Sequence, residues 1–149
     1  MKLTTKTLIG LLIITVSFIV TYRAINLSPS ANIDEEKKFM AIVENSGCLL
    51  CHNKNAKLPS YSIIPLVGSK IRRDSERASK LLDIAEILKY RDNGITISGH
   101  YLNLIDSVII DNSMPPFSFT IFRPGSAINS GEEEVILEWT RKERIKGGD

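Results

Sequence analysis

The sequence predicts an all-α protein behind one apolar N-terminal segment, on three observations. Apolar residues recur at the helical period through most of the chain, and the strict alternation of a half-buried strand is scarce. Residues 7–22 carry no charge and are rich in Leu, Ile and Val. Cys48-Leu49-Leu50-Cys51-His52 uses both cysteines and one of the two histidines in consecutive positions.

A chain of 149 residues has room for one compact domain and an extension, not for two domains. Its 19 basic and 17 acidic residues nearly balance, and nothing in that distribution marks a nucleic-acid surface. Aromatic residues are few, so the core is modest.

The N-terminal segment opens with Lys2 and Lys6 and closes with Arg23. The uncharged stretch between them is longer than a usual signal-peptide core. It is slightly short of the about 20 residues that span a bilayer. Tyr22 and a snorkelling Arg23 extend it at the interface. The nearest approach to a small-x-small cleavage site is Ser28-Pro29-Ser30, and its proline makes it a poor one. We read residues 1–32 as an uncleaved signal anchor with a short linker, and residues 33–149 as the domain it carries. A cleaved signal peptide is the alternative.

In the domain, Asp34-Glu35-Glu36 puts acids at the positive end of a first helix, with Phe39, Ile42 and Val43 as its apolar stripe. Asn45-Ser46-Gly47 ends it directly before the cysteine motif. Residues 53–65 form a loop containing Pro59 and Pro65. Residues 67–89 read as helical, with Leu81, Leu82, Ile84, Ala85 and Leu88 facing the core. Residues 91–94 are a turn. Ser98 caps the next helix, where Tyr101, Leu104, Ile105, Val108 and Ile109 fall on one face. Met114-Pro115-Pro116 follows, then a loop with Phe117, Phe119, Phe122, Pro124 and Gly125. Ser130-Gly131-Glu132-Glu133 reads as a capping box. It opens a last helix with Val135, Ile136 and Trp139 inward and the basic residues 141–146 at its negative end.

The C-x-x-C-H spacing is that of covalent haem attachment. On a helical turn, positions i, i+3 and i+4 share a face. Two thiols there reach the two vinyl groups of one porphyrin, and the adjacent imidazole lies under the iron. A disulfide or redox dithiol needs only Cys48 and Cys51. A structural zinc site needs about four ligands, and only His100 is left to complete one. The expected cofactor is one covalently attached haem c, with Cys48 and Cys51 as its anchors and His52 as its iron ligand. A bound haem also supplies apolar interior to a small core.

The order of these parts resembles a class I c-type cytochrome: helix, C-x-x-C-H, loops and helices, a methionine beside prolines, a terminal helix. In more detail, Gly47-Cys48-Leu49-Leu50-Cys51-His52, Leu58-Pro59-Ser60-Tyr61, Ile64-Pro65, Met114-Pro115-Pro116 and Ile136-Leu137-Glu138-Trp139 resemble the N-terminal haem domain of membrane-anchored trihaem bacterial cytochrome c peroxidases. The chain is similar to the haem-binding domain family that includes stand-alone small proteins. The resemblance covers residues 37–144. It implies a first and last helix crossing near the haem, with Phe39 and Trp139 as candidates for the contact. It also implies attachment on the exported side, hence a single-pass protein of the inner membrane with the domain in the periplasm. The sequence holds no second C-x-x-C-H, so peroxidase activity is not expected of it and no small-molecule substrate is implied.

His52 needs an acceptor for its second ring nitrogen. In class I cytochromes a proline carbonyl about a dozen residues later supplies one. Pro65 is so placed, with Pro59 the alternative, although both prolines also simply shape the loop. Met114 is the candidate sixth ligand, a soft thioether on a stiffened loop. His100, at the start of a helix and off its apolar stripe, is the rival. Met40 reads as a core or surface residue. Lys54, Lys57, Lys70, Arg72 and Arg73 read as a solvated face, or as a rim that steers an acidic partner. The expected function is single-electron transfer between redox proteins of the membrane and periplasm. The alternatives are a haem enzyme or gas and peroxide sensor with an open sixth position, and a haem-free dithiol protein.

Overall fold

The computed structural model describes residues 5–25 and 32–148. Residues 26–31 of the expected linker, and the side chains of Tyr61 and Phe122, lie outside what is described. Among the described residues the protein is all-α, with an N-terminal apolar helix ahead of a helical domain.

That first helix, α1 (Thr5–Ile25), has 21 residues, about 31 Å at 1.5 Å per residue, and it is long and apolar enough to cross a membrane. It takes in both flanking charges, Lys6 and Arg23, and none of its residues is buried.

The domain begins with α2 (Glu35–Asn45), capped by the Asp34 carboxylate, which accepts from the Glu36 N–H at 3.2 Å. Phe39, Ile42 and Val43 are its buried face, as their spacing predicts. Gly47 turns the chain with φ +70°, a left-handed conformation that costs glycine little. A 3₁₀ turn, Cys48–Leu50, follows, and a second, Ser60–Ile63, comes after the loop.

The expected long helix over residues 67–89 is two helices, α3 (Val67–Leu81) and α4 (Ile84–Asp92). Leu82 between them is extended, and the Asp83 carboxylate caps α4 by accepting from the Glu86 N–H at 3.1 Å. An Asx cap is favoured at a helix start and disfavoured in an interior, so Asp83 breaks the run. The break also reverses the burial at this point: Leu82 is buried and Leu81 exposed.

Ser98 caps α5 (Gly99–Ile110) by accepting from the His100 N–H. Its buried residues are Leu102, Ile105 and Ile109; Tyr101, Leu104 and Val108 sit at the margin of that face. The phenylalanine-rich stretch expected as loop contains a short helix, α6 (Phe117–Phe122). The last helix, α7 (Ser130–Gly147), is capped one residue earlier than the sequence suggests. Asn129 is the cap and Glu132 its reciprocal partner, because the Asn129 side chain accepts from the Gly131 and Glu132 N–H groups while the Glu132 carboxylate accepts from the Asn129 N–H.

The core lies where α7 packs against α2 and α5. Phe39 and Trp139 stack face to face, and Ile42, Leu102, Ile105, Ile109 and Ile136 close around them. A polar clamp joins α5 to α7. The Thr140 hydroxyl donates to Asp106 at 2.6 Å, and Arg144 donates to Asp106 and, at 2.8 Å, to Asn103. Leu82, Ile87 and Leu88 bring the α3–α4 junction into the same core, which carries it to the cysteine turn.

Candidate functional site

Cys48, Cys51 and His52 wind as one continuous turn. The Leu50 N–H donates to the Gly47 carbonyl at 3.0 Å, and the Cys51 and His52 N–H groups both donate to the Cys48 carbonyl, at 3.2 and 2.8 Å. This is the geometry the spacing requires of side chains sharing a face. The two cysteines are free thiols, both half-buried. Burial pushes the Cys48 thiol up to about 11; the charge of Cys51 adds to this, while a backbone hydrogen bond and Arg123 oppose it. Cys51 is raised too, by burial and by the nearby Asp74. Among the described residues no cluster of His, Cys, Asp and Glu is suited to holding a bare metal ion.

His52 is fixed from both sides by the α3–α4 junction. Its ring Nδ1 lies 2.9 Å from the Leu82 carbonyl oxygen. A carbonyl only accepts, so Nδ1–H is the donor in this contact, and in the neutral ring that leaves the lone pair on Nε2. The His52 carbonyl in turn accepts from the Ile84 N–H at 2.9 Å and the Ala85 N–H at 3.4 Å. The expected proline acceptor is not the one found here. The Pro65 carbonyl accepts from the Val67 N–H at 2.8 Å and the Pro59 carbonyl from the Ser62 N–H at 2.9 Å. Both prolines shape the loop, and the role proposed for Pro65 is taken by Leu82.

The methionine loop is tied to the same turn through α6. The Arg123 guanidinium donates to the Glu44 and Asn45 carbonyls at 3.2 and 3.3 Å, satisfying the open C-terminus of α2. A Cβ at Gly47 would meet the Phe119 side chain at 3.0 Å and that of Arg123 at 3.1 Å, so a larger residue would push α6 side chains away from this turn. Met114 is half-buried, five residues before Phe119. Met40 packs against the core. His100 is exposed in the first turn of α5, its ring 5.7 Å from that of Tyr101.

On the other side of the turn, the Ser75 hydroxyl of α3 donates to the Leu50 carbonyl at 3.4 Å. The elements flanking the cysteine turn expose large apolar side chains: Ile63 and Leu66 before α3, Phe117 and Ile121 on α6. Of the cations weighed as a rim, Lys54 pairs with Asp83 and Glu86, Lys70 pairs with Asp74 at 2.5 Å, and Arg72 donates to the Ser62 carbonyl.

These features fit haem. Two free thiols share a turn with an imidazole anchored through Nδ1, and the start of α3 and α6 expose large apolar side chains. Sequence reasoning missed Leu82, Asp83, Phe119 and Arg123. Asp83 carries a signal in its own residue type, an Asx cap in a helical run. The other three carry none, because their roles depend on long-range contacts.

Comparison with known proteins also points to haem. The cytochrome c peroxidase of Escherichia coli (strain K12) is 25% identical over 114 residues, which are 76% of this chain and 24% of that protein. The chain therefore spans about a quarter of the length of the curated relative it matches. No solved structure matches it. Residues 11–142, from within α1 almost to the end of α7, match the haem-binding domain family, and the chain belongs to that family.

Proposed function

We propose that this protein is a membrane-anchored monohaem c-type cytochrome that passes single electrons. One observation carries the reading: Cys48, Cys51 and His52 lie on one turn, with His52 Nδ1 engaged by the Leu82 carbonyl and Nε2 free. Cys48 and Cys51 would each hold haem through a thioether formed by adding S–H across a vinyl group, so that no atom is lost and the chain gains the mass of one haem. His52, through Nε2, and Met114 would hold the iron, and the haem would supply one-electron ferric/ferrous chemistry. The protein's part is to hold both ligands in place, so that little reorganises with each electron.

α1 holds the domain at the inner membrane, facing the periplasm. Electrons arrive from the quinol pool or a membrane dehydrogenase and leave to a periplasmic acceptor such as a peroxidase. The catalytic step belongs to that partner.

Intact mass after expression with a haem-attachment system tests the reading. The expected result is the chain plus one haem. A bare chain mass, or one lower by two hydrogens, overturns it. A second reading draws on the relative's being a peroxidase. In that reading Met114 would not hold the iron, and the haem would supply an open position for peroxide. A visible spectrum separates the two, because the cytochrome is low-spin in both oxidation states and the alternative is high-spin.

A further inference from the structure

The α3–α4 junction is built to hold one peptide plane still, and that plane carries the carbonyl that meets His52. At Leu82 the backbone is extended, with φ −149° and ψ 107°, so its carbonyl leaves the helix direction. The Leu82 side chain is 5% exposed, locked in the core. On the other side of the same peptide stands Asp83, whose side chain is 11% exposed. One of its carboxylate oxygens accepts from the Glu86 N–H at 3.1 Å. The other accepts from the Lys54 N–H at 3.4 Å, with Lys54 Nζ 3.7 Å away. The carboxylate thus spans two segments, the start of α4 and the residues just after His52.

We propose that Asp83 is the positioning residue for His52. By bridging the Glu86 and Lys54 N–H groups it fixes the Leu82–Asp83 peptide, so that Leu82 holds the imidazole in its Nδ1–H tautomer while Ile84 and Ala85 hold the His52 main chain. The proposal rests on the reading of His52 as the iron ligand, since the freed Nε2 is what that role requires. A cap that served α4 alone would need only the first oxygen. The bond from the Lys54 N–H couples the cap to the histidine segment.

The test uses the full chain in detergent micelles, produced haem-free and labelled with ¹⁵N at histidine. The sequence contains two histidines, so His100, exposed on α5, is the internal reference. Ring nitrogen shifts read the tautomer of the neutral imidazole, and exchange of the Nδ1 proton reads its hydrogen bond. The wild-type His52 is expected as a single Nδ1–H tautomer, with exchange about tenfold slower than at His100. In Asp83→Ala, mixed tautomers and about fivefold faster exchange are expected at His52, with His100 unchanged. Asp83→Asn keeps an oxygen for the Glu86 N–H and a folded α4, but loses the acceptor for Lys54, so it should still speed exchange at His52 about twofold. Ser98→Ala, which removes the α5 cap, should lower the melting temperature and leave the His52 signals alone. Wild-type tautomer and exchange in either folded Asp83 variant would overturn the proposal and leave Asp83 a cap only. Failure of the haem reading shows separately, as a bare chain mass, with the imidazole result still standing.

Discussion

The ring of Phe39 on α2 stacks on the indole of Trp139 on α7, their centroids 3.9 Å apart and their planes within 3° of parallel. Both residues are almost fully buried. The pair marks where the first and last helices of the domain cross, and it fixes the direction in which α2 delivers Gly47 and the cysteine turn.

Truncating either ring should therefore weaken the whole domain. Phe39→Ala or Trp139→Ala should cost about 3–5 kcal/mol, the usual penalty for an aromatic removed from a core. The coupling between the two in a double-mutant cycle should be about 0.5–1.5 kcal/mol. Denaturant melts of the four species check both figures; additive losses would mean that the stacking contributes nothing beyond area.

Arg123 should behave as a clasp between α6 and α2. Arg123→Ala removes two charge-assisted donors from the Glu44 and Asn45 carbonyls and should cost about 1–2 kcal/mol. Amide exchange in α6 should accelerate more than in α5. Arg123→Lys should recover only part of this, because an ammonium does not reproduce the guanidinium fork. Equal protection of α6 in the variant and the parent would show the contact to be idle.

The haem-free thiols should be sluggish nucleophiles. Cys48 titrates near 11 in the folded chain against an ordinary 9.0, so its thiolate fraction at pH 8 is roughly a hundredfold below that of an exposed cysteine. Alkylation of Cys48 should rise steeply only as pH passes 9 towards 11, and should lose that lag in denaturant. The stability sign is also determined. The folded state keeps this proton to higher pH than the unfolded one, so its contribution is constant below about 9 and falls as pH rises through 11. Fast alkylation of the folded chain at neutral pH would contradict the burial.

Met114→Ala in the haem-loaded protein should abolish the weak red-end band of sulfur–iron bonding, lower the potential and open the iron to carbon monoxide. His100→Ala and Met40→Ala should do none of these. If His100→Ala changes the spectrum and Met114→Ala does not, the haem is bis-histidine and the ligand assignment moves to α5.

The sequence by itself determined what rests on near neighbours along the chain. The apolar run of α1, the stripes of α2 and α7, the Asp34 and Ser98 caps and the turn carrying Cys48, Cys51 and His52 each need only residues a few positions apart. A period of 3.6 or an Asx oxygen two residues from its N–H is written into such short stretches. Tertiary structure alone decided that the Leu82 carbonyl, 30 positions from His52, and not that of Pro65, accepts from the imidazole. It also decided that Arg123 closes the end of α2 across 78 and 79 positions, and that the phenylalanine-rich loop is partly the helix α6. The reason is physical. Every residue carries a backbone carbonyl, so nothing in the sequence marks the one that will face a given donor. That choice is made when Leu82 enters the core and its carbonyl comes alongside the ring nitrogen.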